Sequence, residues 1–110
     1  IRDPYNPYLY SRRSEIFLRQ GNYKQAFRDA DKSIQLAPDL YFLYKRRAAA
    51  QFHLREGDAA LADLAKAMEL DPSDFSFTWI SPAVVASYPS AEVRESMLVF
   101  ADNAIVGGAD

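Results

Sequence analysis

A repeat of thirty-four residues limits what this chain can become. Residues 9–14 read LYSRRS and residues 43–48 read LYKRRA. Laying residues 9–38 over 43–72 makes nine pairs coincide: Leu9/Leu43, Tyr10/Tyr44, Arg12/Arg46, Arg13/Arg47, Ala26/Ala60, Asp29/Asp63, Lys32/Lys66, Leu36/Leu70 and Pro38/Pro72. Like replaces like at Ser14/Ala48, Phe27/Leu61, Ser33/Ala67 and Ile34/Met68. A fixed period of this length marks a unit of two helices, which must stack on a neighbour to bury its apolar face.

Local signals predict where those helices begin and end. Asn6-Pro7 supplies an N-cap followed by a proline at the first helical position, and Gly21 closes that helix after Gln20. Asn22 caps a second helix, with Gln25 three residues on in a capping-box arrangement, and Pro38 stops it beyond Ala37. Asp39 caps a third helix ending near Glu56-Gly57, and Asp58 caps a fourth ending before Asp71-Pro72. Ser14, Ala26, Ser33, Ala48, Ala60 and Ala67 let the helices approach closely, while Tyr10, Phe17, Phe27, Tyr44, Leu61 and Leu64 fill the space between them.

On these residues, residues 7–40 and 41–74 resemble two tetratricopeptide repeats. The likeness runs through Tyr10, Ser14, Phe17, Gly21-Asn22-Tyr23, Ala26, Ser33 and Pro38, and again through Tyr44, Ala48, Ala60, Ala67 and Pro72. It implies an all-α, right-handed solenoid of helical hairpins. One departure stands out: Gly57 lies three residues before Ala60, whereas Gly21 lies five before Ala26. A displaced second turn and a longer third helix are therefore expected.

Residues 1–6 read as an N-terminal extension and 107–110 as a tail. Residues 75–106 read as a degenerate third unit, or as capping helices that cover the second. Pro82 interrupts any helix begun at Phe75–Trp79, and Ser81-Pro82 opens a short helix to about Ser87. Pro89-Ser90 starts a longer helix, with Val93, Met97, Phe100 and Ala104 on one stripe, which Gly107-Gly108 ends.

The 110 residues suit about one domain, and 49% hydrophobic with 25% charged residues is the mix of a globular chain. Zero cysteines exclude disulfides and thiolate metal sites. No apolar run approaches the roughly 20 residues of a membrane span. Residue 1 is Ile with no leader pattern after it, so a segment of a larger chain, in the cytoplasm, is expected. The net charge of −2 hides a basic half, residues 8–55, and an acidic half, residues 56–110. The acidic half argues against a surface that tracks phosphates, so no nucleic acid is expected as partner.

Each doubled arginine divides by angle, because adjacent helical residues point about 100° apart. Arg13 and Arg47 each lie sixteen residues before an aspartate of the same unit, Asp29 and Asp63. An antiparallel helix pair brings such positions together as a structural clamp. Lys32 and Lys66 stand at helical spacing from the same aspartates. In tetratricopeptide proteins the first helix of each unit lines a concave groove that binds extended peptides. The resemblance therefore implies a groove floor of Tyr8, Arg12, Glu15, Arg19, Phe42, Lys45, Arg46, Phe52 and His53, suited to an acidic partner peptide. Some chaperone-binding members grip a C-terminal carboxylate with a lysine and an asparagine of the first helix. Ser11 and Glu15 stand there instead, so that activity is not expected.

His53 is the only histidine, too little for a metal site or for acid–base catalysis. No Gly-rich phosphate loop precedes a helix. Trp79 and the phenylalanines near it read as core. A non-catalytic protein-interaction module without cofactor or metal is the function expected. The alternative is a structural spacer or a regulatory module of a larger protein or enzyme.

Overall fold

The computed structural model describes residues 2–72, together with Tyr88, Ser90–Glu92, Arg94 and Glu95. Within residues 2–72 four helices follow one another: α1 (Pro7–Arg19), α2 (Tyr23–Leu36), α3 (Tyr41–His53) and α4 (Gly57–Leu70). Among the described residues there is no strand, and no helix is long and apolar enough to cross a membrane. Each boundary of α3 and α4 lies thirty-four residues after its counterpart in α1 and α2. The period of the sequence is the period of the backbone.

Small residues set the packing. α1 pairs with α2, α3 with α4, and α2 lies against α3. Ala26, Ala30, Ala48, Ala50 and Ala60 are wholly buried, so neighbouring backbones come close. The Ser14 hydroxyl donates to the Ala26 carbonyl at 2.7 Å, a tie from α1 to α2 that leaves no buried polar atom at Ser14 unpaired. A cluster of Ile34, Leu43, Tyr44 and Ala67, with Ala37 and Leu40 against it, joins the two hairpins. The Tyr44 hydroxyl donates to the Pro38 carbonyl at 2.7 Å and pins the connector between them.

Both hairpin turns close alike. Gly21 N–H donates to Leu18 O at 3.1 Å and Asn22 N–H to Phe17 O at 2.9 Å. Arg55 N–H donates to Phe52 O at 3.2 Å and Glu56 N–H to Gln51 O at 2.8 Å. These are Schellman closures, which need one residue in the left-handed region. Gly21 fills that place with φ 78° and Arg55 with φ 66°.

The second turn is therefore not displaced, and α3 does not extend to Glu56-Gly57. It ends at His53 because the hydrogen-bond closure fixes the helix length, and Arg55 takes the backbone conformation that glycine would take more easily. Three caps also differ from expectation. Asn6 does cap α1, accepting from Tyr8 N–H at 3.0 Å. Asn22 makes no side-chain cap and instead donates to the Gln20 side chain at 3.2 Å. Leu40, not Asp39, is the N-cap of α3, and Glu56, not Asp58, that of α4. Asp58 falls in the first turn of α4, where its charge still favours the helix N-terminus.

Of the helices expected in residues 75–106, the start of the one from Pro89-Ser90 is described. Ala91, Glu92, Arg94 and Glu95 are helical, and Arg94 N–H donates to Ser90 O at 3.1 Å. The Met97–Phe100 stripe, Trp79 and the expected short helix to Ser87 lie outside the described residues. Tyr88 is the part of that segment that shows its neighbours. It is 4% exposed, donates its hydroxyl to Phe52 O at 2.5 Å, and sets its ring edge-on to Phe52 at 5.8 Å. Arg94 donates to the Tyr88 carbonyl.

Candidate functional site

The two clamps come first because they hold the first helices in place. Arg13 grips Asp29 with Nε at 2.6 Å and Nη2 at 2.8 Å. Arg47 grips Asp63 with Nε and Nη2, each at 2.7 Å, and extends Nη1 to Asp31 at 3.0 Å. Two parallel charged hydrogen bonds fix orientation as well as distance. The hydrogen bond to each aspartate raises the arginine's pKa above its ordinary value, against the effect of burial. Asp31 lies on α2 and Arg47 on α3, so the second clamp also joins the two hairpins. Lys66 turns to Glu69 at 3.6 Å rather than to Asp63, whose oxygens both face Arg47.

On the face shared by α1 and α3, the groove candidates separate into two groups. Tyr8 is 58% exposed and its ring stacks on Phe42, centroids 6.2 Å apart. Phe42 meets the Tyr41 ring edge-on at 5.8 Å, and the Lys45 ammonium lies 5.7 Å from the centre of that ring. Arg12 is exposed and, among the described residues, pairs with no carboxylate. Glu15 and Arg19 pair with each other at 2.8 Å, one helical turn apart. Tyr8, Phe42 and Tyr41 thus touch in sequence, with the Lys45 ammonium over the last ring.

Three other candidates are committed elsewhere. Arg46 donates Nη1 to the Ser11 carbonyl at 2.7 Å and to the Ser11 hydroxyl at 2.8 Å, with Nη2 3.6 Å from Glu15. Burial lowers its pKa from the usual value, and Arg19 adds to this while Glu15 opposes it. It is a tie between α1 and α3, not an open groove cation. Phe52 is wholly buried, under Tyr88 on one side, so it offers no surface to a ligand. His53 stacks flat on Tyr23 at the start of α2, with centroids 4.1 Å apart. Burial, and then Arg55, lower its pKa from 6.5.

Tyr88 escaped the sequence reading. It stands outside the repeat, and its one local signal is a tyrosine directly before Pro89. Among the described residues no three His, Asp or Glu side chains converge as a metal site would require.

No family model matches the chain. Over 73 residues it is 34% identical to Hsp70-Hsp90 organizing protein 2 of Arabidopsis thaliana, a match that takes in 66% of this chain and 13% of that protein. Over 76 residues it is 36% identical to RNA polymerase II-associated protein 3 of Rattus norvegicus, covering 69% of this chain and 12% of the relative. Hsp70-Hsp90 organizing protein of Triticum aestivum is 44% identical over 73 residues, 64% of this chain and 12% of its own length. The chain thus spans only 12–13% of these relatives. Helical hairpins at a thirty-four-residue period, small residues at their contacts and these similarities place the chain in the tetratricopeptide-repeat family.

Proposed function

We propose that the chain is a non-catalytic protein-interaction module, and that it captures an acidic segment of a partner protein on the face of α1 and α3. The observation that carries this is the Tyr8–Phe42 stack, which bridges the two hairpins and continues to Tyr41 with Lys45 over its ring, while Arg12 of α1 is exposed. Aromatic rings give an apolar anchor of a partner a flat seat, and the cations steer carboxylates toward it. Relatives named for organizing Hsp70 and Hsp90 and for association with RNA polymerase II support a protein as the partner. The acidic second half of the chain weighs against nucleic acid.

A contact of this size binds weakly, with a dissociation constant on the order of micromolar or higher. The test uses a fluorescent peptide of alternating Asp and Leu as the probe, titrated with the 110-residue chain. Arg12→Glu with Tyr8→Ala should weaken binding by roughly tenfold or more, and raised salt should weaken the wild type as well. Helical signal and melting should stay close to wild type, since both positions are exposed. If the probe binds the variant as tightly as the wild type at every salt concentration, the face is not a peptide site and the spacer alternative takes its place. Arg46→Glu is the wrong probe, because it breaks the tie to Ser11 and Glu15.

A further inference from the structure

α2 and α4 hold the same place in their hairpins, yet the faces they turn to solvent differ in charge. The exposed residues of α2 are Lys24, Gln25, Arg28, Lys32 and Gln35. Lys24, Arg28 and Lys32 recur every fourth residue, so they stand in one row at steps of roughly 6 Å along the helix. Their counterparts on α4 are Asp58, Ala62 and Lys66, and Lys66 turns to Glu69 at 3.6 Å. A hairpin of this kind therefore needs no cation at all three places.

The row is also uncompensated. α2 carries two carboxylates, and arginines of the other helices hold both: Asp29 is gripped by Arg13 and Asp31 by Arg47. Among the described residues no carboxylate pairs with Lys24, Arg28 or Lys32. Like charges at this spacing repel one another, so the row costs the isolated helix stability rather than adding to it.

One end of the row opens on a cavity of about 500 Å³, lined by Tyr23, Lys24 and Arg28 of α2 and by Leu54 just beyond α3. The Tyr23 ring is stacked on His53 at 4.1 Å, which holds that part of the lining in place. A recess of this size with apolar and cationic lining fits an apolar side chain followed by carboxylates. A lipid surface fits less well, because every exposed residue of α2 is polar and none would enter a bilayer. Three cations on a chain of net charge −2 make a short track for nucleic acid.

We infer that Lys24, Arg28 and Lys32, with the cavity at Tyr23 and Leu54, form a second docking surface for an acidic protein segment headed by one apolar residue. The apolar side chain enters the cavity, and the carboxylates that follow it meet the three cations. This surface goes beyond the face of α1 and α3, with which it shares none of Tyr8, Arg12, Phe42 and Lys45.

The experiment first silences the other face with Tyr8→Ala and Arg12→Glu. The probe is a fluorescent peptide of one leucine followed by six glutamates, titrated at low salt. It should still bind this variant, and adding Lys24→Glu and Arg28→Glu should weaken binding by roughly tenfold or more. Replacing the leucine of the probe by glycine should weaken binding by roughly threefold or more, because the cavity then stays empty. All four substituted positions are exposed, so melting should stay close to wild type. The inference is overturned if adding the Lys24 and Arg28 changes leaves binding where it was. It is overturned too if the leucine and glycine peptides bind alike, since the row is then a solvated face that any polyanion screens. Preferential capture of phosphatidylserine vesicles or of oligouridylate over the peptide would give the row to a lipid surface or to nucleic acid, and overturns it as well.

Discussion

The two hairpins share one backbone and differ in what surrounds it. Helices of 13 and 14 residues, a Schellman turn and an Arg–Asp clamp appear in both, thirty-four residues apart. In the first hairpin the clamp arginine is half exposed and the left-handed turn residue is glycine. In the second, the arginine is largely covered, holds a third partner, and the turn residue is an arginine. Packing of small residues and the clamp therefore set the geometry of a hairpin. Side chains free of that duty follow the neighbour each hairpin has.

The largest effect that would sharpen this difference lies at the clamps. Arg47→Met should destabilise by about 2–3 kcal/mol, because it leaves Asp63 buried without a partner and removes the tie to Asp31. Arg13→Met should cost about 1–2 kcal/mol, since solvent already screens the more exposed pair. In the Asp31→Asn background the gap between the two should narrow. Chemical denaturation of the four variants measures it. Equal costs for Arg13 and Arg47 would mean that the contact between hairpins contributes nothing.

The clamps and helix pairs were legible in the sequence because both are periodic: a sixteen-residue spacing inside a thirty-four-residue period leaves Arg13 and Asp29 nowhere else to meet. The caps at Asp39 and Asp58 were misplaced, and Asn22 stands at the expected N-cap without bonding through its side chain, because capping propensity acts over one turn of helix while packing across a whole hairpin decides where the helix starts. The candidate face was half legible. The resemblance put Tyr8 and Phe42 on one face, and their rings do stack. It could not show that Ser11 draws in Arg46, that Tyr88 closes over Phe52, or that His53 turns to Tyr23, since those depend on neighbours the repeat does not encode.

A smaller effect tests the turns against each other. A left-handed residue with a side chain costs about 1 kcal/mol relative to glycine. Gly21→Ala should therefore destabilise by about 1 kcal/mol, all of it backbone strain, because nothing lies within 4 Å of where the new Cβ would sit. Arg55→Gly should gain less than that, because the Arg55 guanidinium lies 5.1 Å from the centre of the Tyr88 ring and that contact is lost. A melting temperature that falls on Arg55→Gly would show that the ring contact outweighs the strain.

The smallest effect is a dependence on pH that only the second hairpin should show. Arg19 and His53 are counterparts at the ends of α1 and α3, and only the second carries an imidazole. Burial against Tyr23, with Arg55 nearby, lowers the His53 pKa below 6.5. A lowered pKa in the folded state means that the unfolded chain takes up the proton first as pH falls. Stability is then complete above about pH 6.5 and declines as pH drops from there through the lower folded value. Denaturation midpoints measured from pH 7.5 to pH 5 should show this decline in the wild type. His53→Phe keeps a flat ring against Tyr23 but cannot titrate, so its midpoints should fall less over the same range. If the two proteins decline in parallel, His53 is not the group responsible, and the stack on Tyr23 does not depend on the charge of the imidazole.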